Sequence, residues 1–119
     1  MFTILVIVLA LASPDAPCAA PGSADRVAGQ WTGNFAGADW TFDLSRDGKG
    51  WSGRYRTTKA PTWKPLEEVT VTQGCATFGI ESKPRVTFAL ALAPGGTAMA
   101  GNVIIAGLAT LPFTARREP

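Results

Sequence analysis

Residues 40–55 read WTFDLSRDGKGWSGRY. Trp40, Phe42 and Leu44 alternate with Thr41, Asp43 and Ser45, and the same period of two returns in Trp51, Gly53 and Tyr55. A strand turns successive side chains to opposite faces, so each half of this stretch presents one apolar face and one polar face. Between the halves, Arg46-Asp47-Gly48-Lys49-Gly50 contains Asp-Gly, a pair that tolerates the positive φ of a tight connection. The segment is therefore a β-hairpin with one side facing a core.

The alternation extends down the chain. Val69 and Val71 alternate with Thr70 and Thr72, Gln73-Gly74 turns, and Ala76, Phe78 and Ile80 mark the next apolar face. Val86, Phe88, Leu90 and Leu92 follow, then the turn Ala93-Pro94-Gly95-Gly96, then Met99, Val103 and Ile105, and finally Leu111 and Phe113. No window after residue 25 repeats apolar residues at i, i+3, i+4 and i+7, as an amphipathic helix would. Taking residues 27–35 as the first strand and 108–116 as the last, the pattern predicts eight strands at the regular spacing of sandwiches and barrels. Short connections favour meander order, and closing the sheet removes its edges. The expectation is an all-β, eight-stranded antiparallel up-and-down barrel. Residues 57–65 (TTKAPTWKP) form the one long connection, because their two prolines forbid a central strand.

Three five-residue stretches, Trp31-Thr32-Gly33-Asn34-Phe35, Trp51-Ser52-Gly53-Arg54-Tyr55 and Met99-Ala100-Gly101-Asn102-Val103, set a glycine between large residues of one face. An inward glycine in a small barrel makes room for bulky neighbours and lets the strand bend.

The chain has 119 residues, 46% apolar and 17% charged, which suits one small globular domain. It contains no histidine, excluding imidazole-based catalysis, His-ligated metals and an imidazole pH switch. The net charge of +2 is spread along the chain rather than gathered into a nucleic-acid-binding stripe. Residues 2–12 (FTILVIVLALA) are continuously apolar but fall short of the roughly 20 residues that span a bilayer. They read as the core of a cleavable signal peptide, with small and Pro-rich residues 13–24 leading to a cut between Ala24 and Asp25. The expected organisation is a signal peptide over 1–24 and a single barrel domain over 25–119, monomeric, without a membrane span, and secreted or periplasmic. Acylation of Cys18 is set aside, because Asp15-Ala16-Pro17 does not suit a lipoprotein signal. Once Cys18 is removed, Cys75 stands alone as a small buried apolar residue and no intramolecular disulfide is expected.

The inward candidates are Trp40, Phe42, Leu44, Trp51, Tyr55, Val69, Val71, Phe78, Ile80, Val86, Phe88, Leu90, Met99, Val103, Ile105, Leu111 and Phe113. They suffice to fill an eight-strand barrel. Trp40, Trp51 and Tyr55 would line any pocket, since aromatic walls with one hydroxyl suit a small amphipathic ligand. Trp63, in the long loop between Lys59 and Lys64, is either a ligand contact or a lid over one barrel end. Glu67 and Glu68, as strand neighbours, should point to opposite faces and pair with Arg54 and Arg56. No nucleophile elbow, phosphate loop or calcium loop is present, so no catalytic, metal or cofactor site is expected.

Gly29-Gln30-Trp31 on a first strand, a meander, and a last strand ending Phe113-Thr114-Ala115-Arg116-Arg117 resemble the calycin superfamily of lipocalins, fatty-acid-binding proteins and avidins. That resemblance implies that Trp31 closes one barrel end beneath a basic side chain of the final strand, Arg116 or Arg117. The stretch also looks like a small β domain that accompanies secreted bacterial hydrolases. Its implied role is a non-enzymatic binding or accessory module for a small apolar molecule or a secreted protein. The alternative is a periplasmic protease inhibitor, since such inhibitors resemble avidin-like barrels of similar size that carry a disulfide and an N-terminal arm. If a pocket exists, it should lie at the end away from Trp31, beneath residues 57–65.

Overall fold

A computed structural model describes residues 24–48 and 50–118; the signal-peptide reading of residues 1–23, Cys18 included, lies outside the described residues. A 3-10 helix, Ala24–Val27, precedes nine strands: β1 Gly29–Phe35, β2 Ala38–Asp47, β3 Gly50–Thr57, β4 Lys64–Pro65, β5 Glu67–Thr72, β6 Cys75–Ile80, β7 Val86–Leu92, β8 Ala98–Ile105 and β9 Ala109–Arg117. They form one antiparallel sheet in the order β4-β3-β2-β1-β9-β8-β7-β6-β5. Pairing of β1 with β9 carries the meander round into a nearly closed up-and-down barrel.

Nine strands replace the expected eight because Lys64 and Pro65, expected to belong to the long connection 57–65, form a short strand of their own on β3. Lys64 and Pro65 pair with Tyr55 and Arg54 of β3, and the Leu66 amide still donates to the Gly53 carbonyl at 2.9 Å. Pro65 has no N–H with which to continue a ladder. Glu68 then adopts φ 51°, the register shifts between Glu67 and Thr70, and the chain turns away to pair with β6 as β5. Residues 24–27, partly assigned to the first strand from sequence, form the 3-10 helix, and β1 begins at Gly29 with φ 126°.

The interior follows the period of two. Phe42, Phe78, Phe88 and Phe113 meet in the centre, with the Phe42 ring 4.8 Å from Phe88 and 4.9 Å from Phe78, and Phe88 5.3 Å from Phe113. These distances are those of direct ring contact, and each pair adds about 0.5–1.5 kcal/mol beyond area burial. All the inward candidates lie in or against this core except Leu111, which is 40% exposed near the end of the β8–β9 hairpin. A Cβ on Gly33 would meet the Thr114 carbonyl oxygen and the Phe113 ring, and one on Gly101 would lie 2.0 Å from the Ala89 carbonyl oxygen. The glycines thus let neighbouring backbone and rings approach, as their inward placement predicts.

One barrel end is shut by Trp31. Its indole N–H donates to the Val27 carbonyl at 2.9 Å, and the Arg117 guanidinium lies 4.2 Å from the ring centroid. Arg117 also donates to the carbonyls of Ala28 at 2.8 Å, Gly96 at 3.1 Å and Arg26. Of the two basic candidates, Arg117 is therefore the one over Trp31, whereas Arg116 alternates to the exposed outer face.

Two sequence expectations fail through local backbone geometry. Glu67 and Glu68 do not point apart or pair with Arg54 and Arg56: the left-handed Glu68 bulge brings both carboxylates to Arg85, at 2.6 and 2.9 Å. Arg54 instead meets Asp43 at 3.0 Å, its register partner on β2. Cys75 is not a lone buried thiol. As the residue before inward Ala76 it sits on the outer face, half-buried and disulfide-bonded, and no described cysteine is free.

Arg117→Ala should lower the unfolding free energy by about 1–3 kcal/mol in urea, through lost stacking and unmet carbonyls, with Arg116→Ala near neutral. Gly101→Ala should cost about 1–3 kcal/mol by pushing β7 from β8, which thermal unfolding would register.

Candidate functional site

The barrel end opposite Trp31 is bounded by the β1–β2, β3–β4, β6–β7 and β8–β9 connections. Trp40, near the start of β2, and Tyr55, near the end of β3, both point inward here. Their rings stack with centroids 5.7 Å apart and planes inclined by 14°. The Trp40 indole N–H donates to the Phe35 carbonyl at 2.9 Å, which fixes the tilt of the stack.

Beside Tyr55, where β4 leaves β3 and β5 turns toward β6, a cleft of about 310 Å³ is lined by Tyr55, Lys64, Pro65, Glu67 and Glu81. The break between β4 and β5 creates it: β5 meets β6 only from Glu67↔Gly79 onward, leaving the wall thin above that pair. The cleft lies at the end away from Trp31 and beside residues 57–65, where a pocket was expected. Its walls are more polar than an apolar carrier would need. Two carboxylates, one ammonium and one phenol surround it, with the Tyr55 ring and Pro65 as the apolar part.

Burial first, and then the Glu81 and Glu67 carboxylates, push the Tyr55 hydroxyl above its ordinary value. A phenolate would be desolvated and would face two negative charges. Both effects disfavour the phenolate and favour the Tyr55 O–H form.

The other two aromatic candidates lie elsewhere. Trp51, at the start of β3, faces the Trp31 end, where the Arg46 guanidinium stands 5.8 Å from its ring. Trp63 neither caps the mouth nor enters the barrel. Its indole sits on the outer side of β3 between Arg54 and Arg56, whose guanidiniums lie 4.2 and 4.4 Å from the ring centroid. Two cation–π contacts account for its half-buried state, each contributing about 0.5–2 kcal/mol according to desolvation. Lys64, Glu67 and Glu81 were not singled out as site residues from sequence. The signal that could have found them is Pro65, which marks where the wall must open.

Among the described residues no group of carboxylates and cysteines is arranged to hold a metal, and no helix is long and apolar enough to cross a membrane. Cys75, being in a disulfide, offers no thiolate nucleophile.

Tyr55 is the chain's single tyrosine, so phenolate absorbance reports on it alone. The tyrosinate midpoint should lie above about 10, and Glu81→Gln should lower it. Because the folded value is the raised one, this contribution to stability is intact below the unfolded value of about 10 and is lost as pH climbs through the folded value.

Set against known proteins, the chain matches no family model, no curated protein and no solved structure.

Proposed function

We propose that the chain is a non-enzymatic binding or accessory module of an exported compartment, built on a calycin-like barrel, that takes a small amphipathic molecule at its mouth rather than in its interior. The observation that carries this reading is the contrast between a centre filled by four phenylalanine rings and an open cleft at the mouth. A fatty acid laid along the barrel axis would have to displace those rings.

The cleft's chemistry selects the ligand. Arg85 already pairs with Glu67 at 2.6 Å, so the carboxylate that selects is Glu81, which beside the donating Tyr55 hydroxyl favours a protonated amine with an adjacent hydrogen-bond acceptor. The half-buried Trp40–Tyr55 stack and exposed Leu108 and Leu111, all at the mouth end, offer apolar surface for the rest of such a molecule. A cleft of about 310 Å³ is at the small end of ligand sites, which suits a compact amine. The calycin-like assignment draws support from Arg117 over Trp31, the arrangement which that resemblance implies.

A second reading, the periplasmic protease inhibitor on an avidin-like barrel, is favoured by one observation. Cys75 is disulfide-bonded, as those inhibitors resemble disulfide-bearing chains.

The test is a fluorescence titration of the purified protein with arylalkylamines against carboxylates of the same carbon skeleton. The amines should give a saturable change through Trp40, weakened roughly tenfold or more by Tyr55→Phe or Glu81→Gln, the range expected of a lost charged hydrogen bond, and retained in Trp63→Ala. Equal binding of amines and carboxylates, or binding of neither, overturns the mouth site. Co-purification of a protease from the periplasm would promote the inhibitor in its place.

A further inference from the structure

Cys75 opens β6 with its side chain on the outer wall, and it is disulfide-bonded. The chain holds one other cysteine, Cys18. Resting on the export reading above, we propose that the bond joins Cys18 to Cys75, so the leader is cut upstream of Cys18 and the retained N-terminal arm is stapled to the barrel.

Reach permits the bond. The Ala24–Val27 helix packs against β5 and β6, the strands flanking the turn at which Cys75 sits. The steps from Cys18 to Ala24 can span up to about 20 Å of extended chain, while a disulfide needs Cα atoms only about 4.4–6.8 Å apart. The wall has room for a second run of backbone, because a shallow trough of about 320 Å³ surrounds Cys75, lined on its outer side by the small side chains of Thr77, Ala89, Ala91 and Ala100.

A cut between Ala24 and Asp25 would discard Cys18 and leave Cys75 without its partner. The sequence offers another site at the end of the apolar run itself, the small-X-small triplet Ala10-Leu11-Ala12, followed by Ser13. A cut there keeps the Pro- and Ala-rich arm. The bond forms by exchange with a disulfide of an exported thiol oxidant. Cys18 and Cys75 lose two electrons and two protons to become one disulfide, and the oxidant gains both as two thiols.

The experiment expresses the whole chain in a host with an oxidising periplasm and reads intact mass, N-terminal sequence and maleimide labelling of the exported protein. The expected product begins at Ser13, is lighter than its reduced sequence by two hydrogen atoms, and takes up maleimide only after reduction. Because the bond closes a long loop, reductant should lower Tm by roughly 10 °C or more. Cys18→Ser should make Cys75 reactive without reductant even if that variant is unstable. A product beginning at Asp25, labelling of Cys75 before reduction, or a disulfide-linked dimer overturns the staple while leaving export intact. A cytoplasmic product that retains Met1 overturns the export reading on which the staple rests.

Discussion

The guanidinium of Arg117 is the contact that ties the two ends of the chain into a nearly closed barrel. From the end of the last strand it covers Trp31 on the first and takes the carbonyls of Arg26, Ala28 and Gly96. Those carbonyls come from the entry to β1 and from the β7–β8 turn, so one side chain joins three segments distant in sequence. The direct ladder between β1 and β9 is short, comprising Trp31↔Arg117 and Thr32↔Arg116. Side-chain bonding by Arg117 at one end adds to this short ladder. Trp31 and Arg117 hold shut what β-pairing alone leaves thin.

Inside, aromatic volume and absent side chains are matched. Gly33 admits the Phe113 ring, Gly53 admits Leu66 and Leu44, and Gly101 admits the backbone of β7. Any Cβ at these positions would collide with its neighbour, so the coiling of the wall and the filling of the centre are one arrangement. A barrel filled in this way keeps its charged groups at its ends and its outer surface. That is why the break between β4 and β5 matters: Pro65 and the left-handed Glu68 thin the wall beside Tyr55, and the resulting cleft gathers charged groups that the core would not accept.

The same bulge shows how one backbone angle redirects chemistry. In a regular strand Glu67 and Glu68 would face opposite sides, one toward the core at high desolvation cost. With Glu68 at φ 51° both meet Arg85 on the outside, where its guanidinium also covers Gly79. Such exposed pairs contribute little energy, but they fix the orientation of Glu67 at the edge of the cleft.

Period-two alternation, Gly and Asp-Gly turns and missing helical spacing determined the all-β meander and the inward set from Trp40 to Phe113, because these follow from side-chain direction and turn chemistry within single segments; the plug at Trp31 was legible only through the calycin resemblance. The outer position of Cys75 is equally legible, since alternation from inward Ala76 and Phe78 requires it, whereas its disulfide is not. What tertiary structure decided involves segments that meet only after closure. It set the Arg117 guanidinium over Trp31, since the two residues become neighbours only once β9 has docked on β1, and it drew Trp63 onto the outer side of β3, where two guanidiniums outcompete solvent for the indole. It also made Lys64 and Pro65 a short strand on β3 and assembled Tyr55, Lys64, Glu67 and Glu81 from three stretches of chain that no local pattern connects.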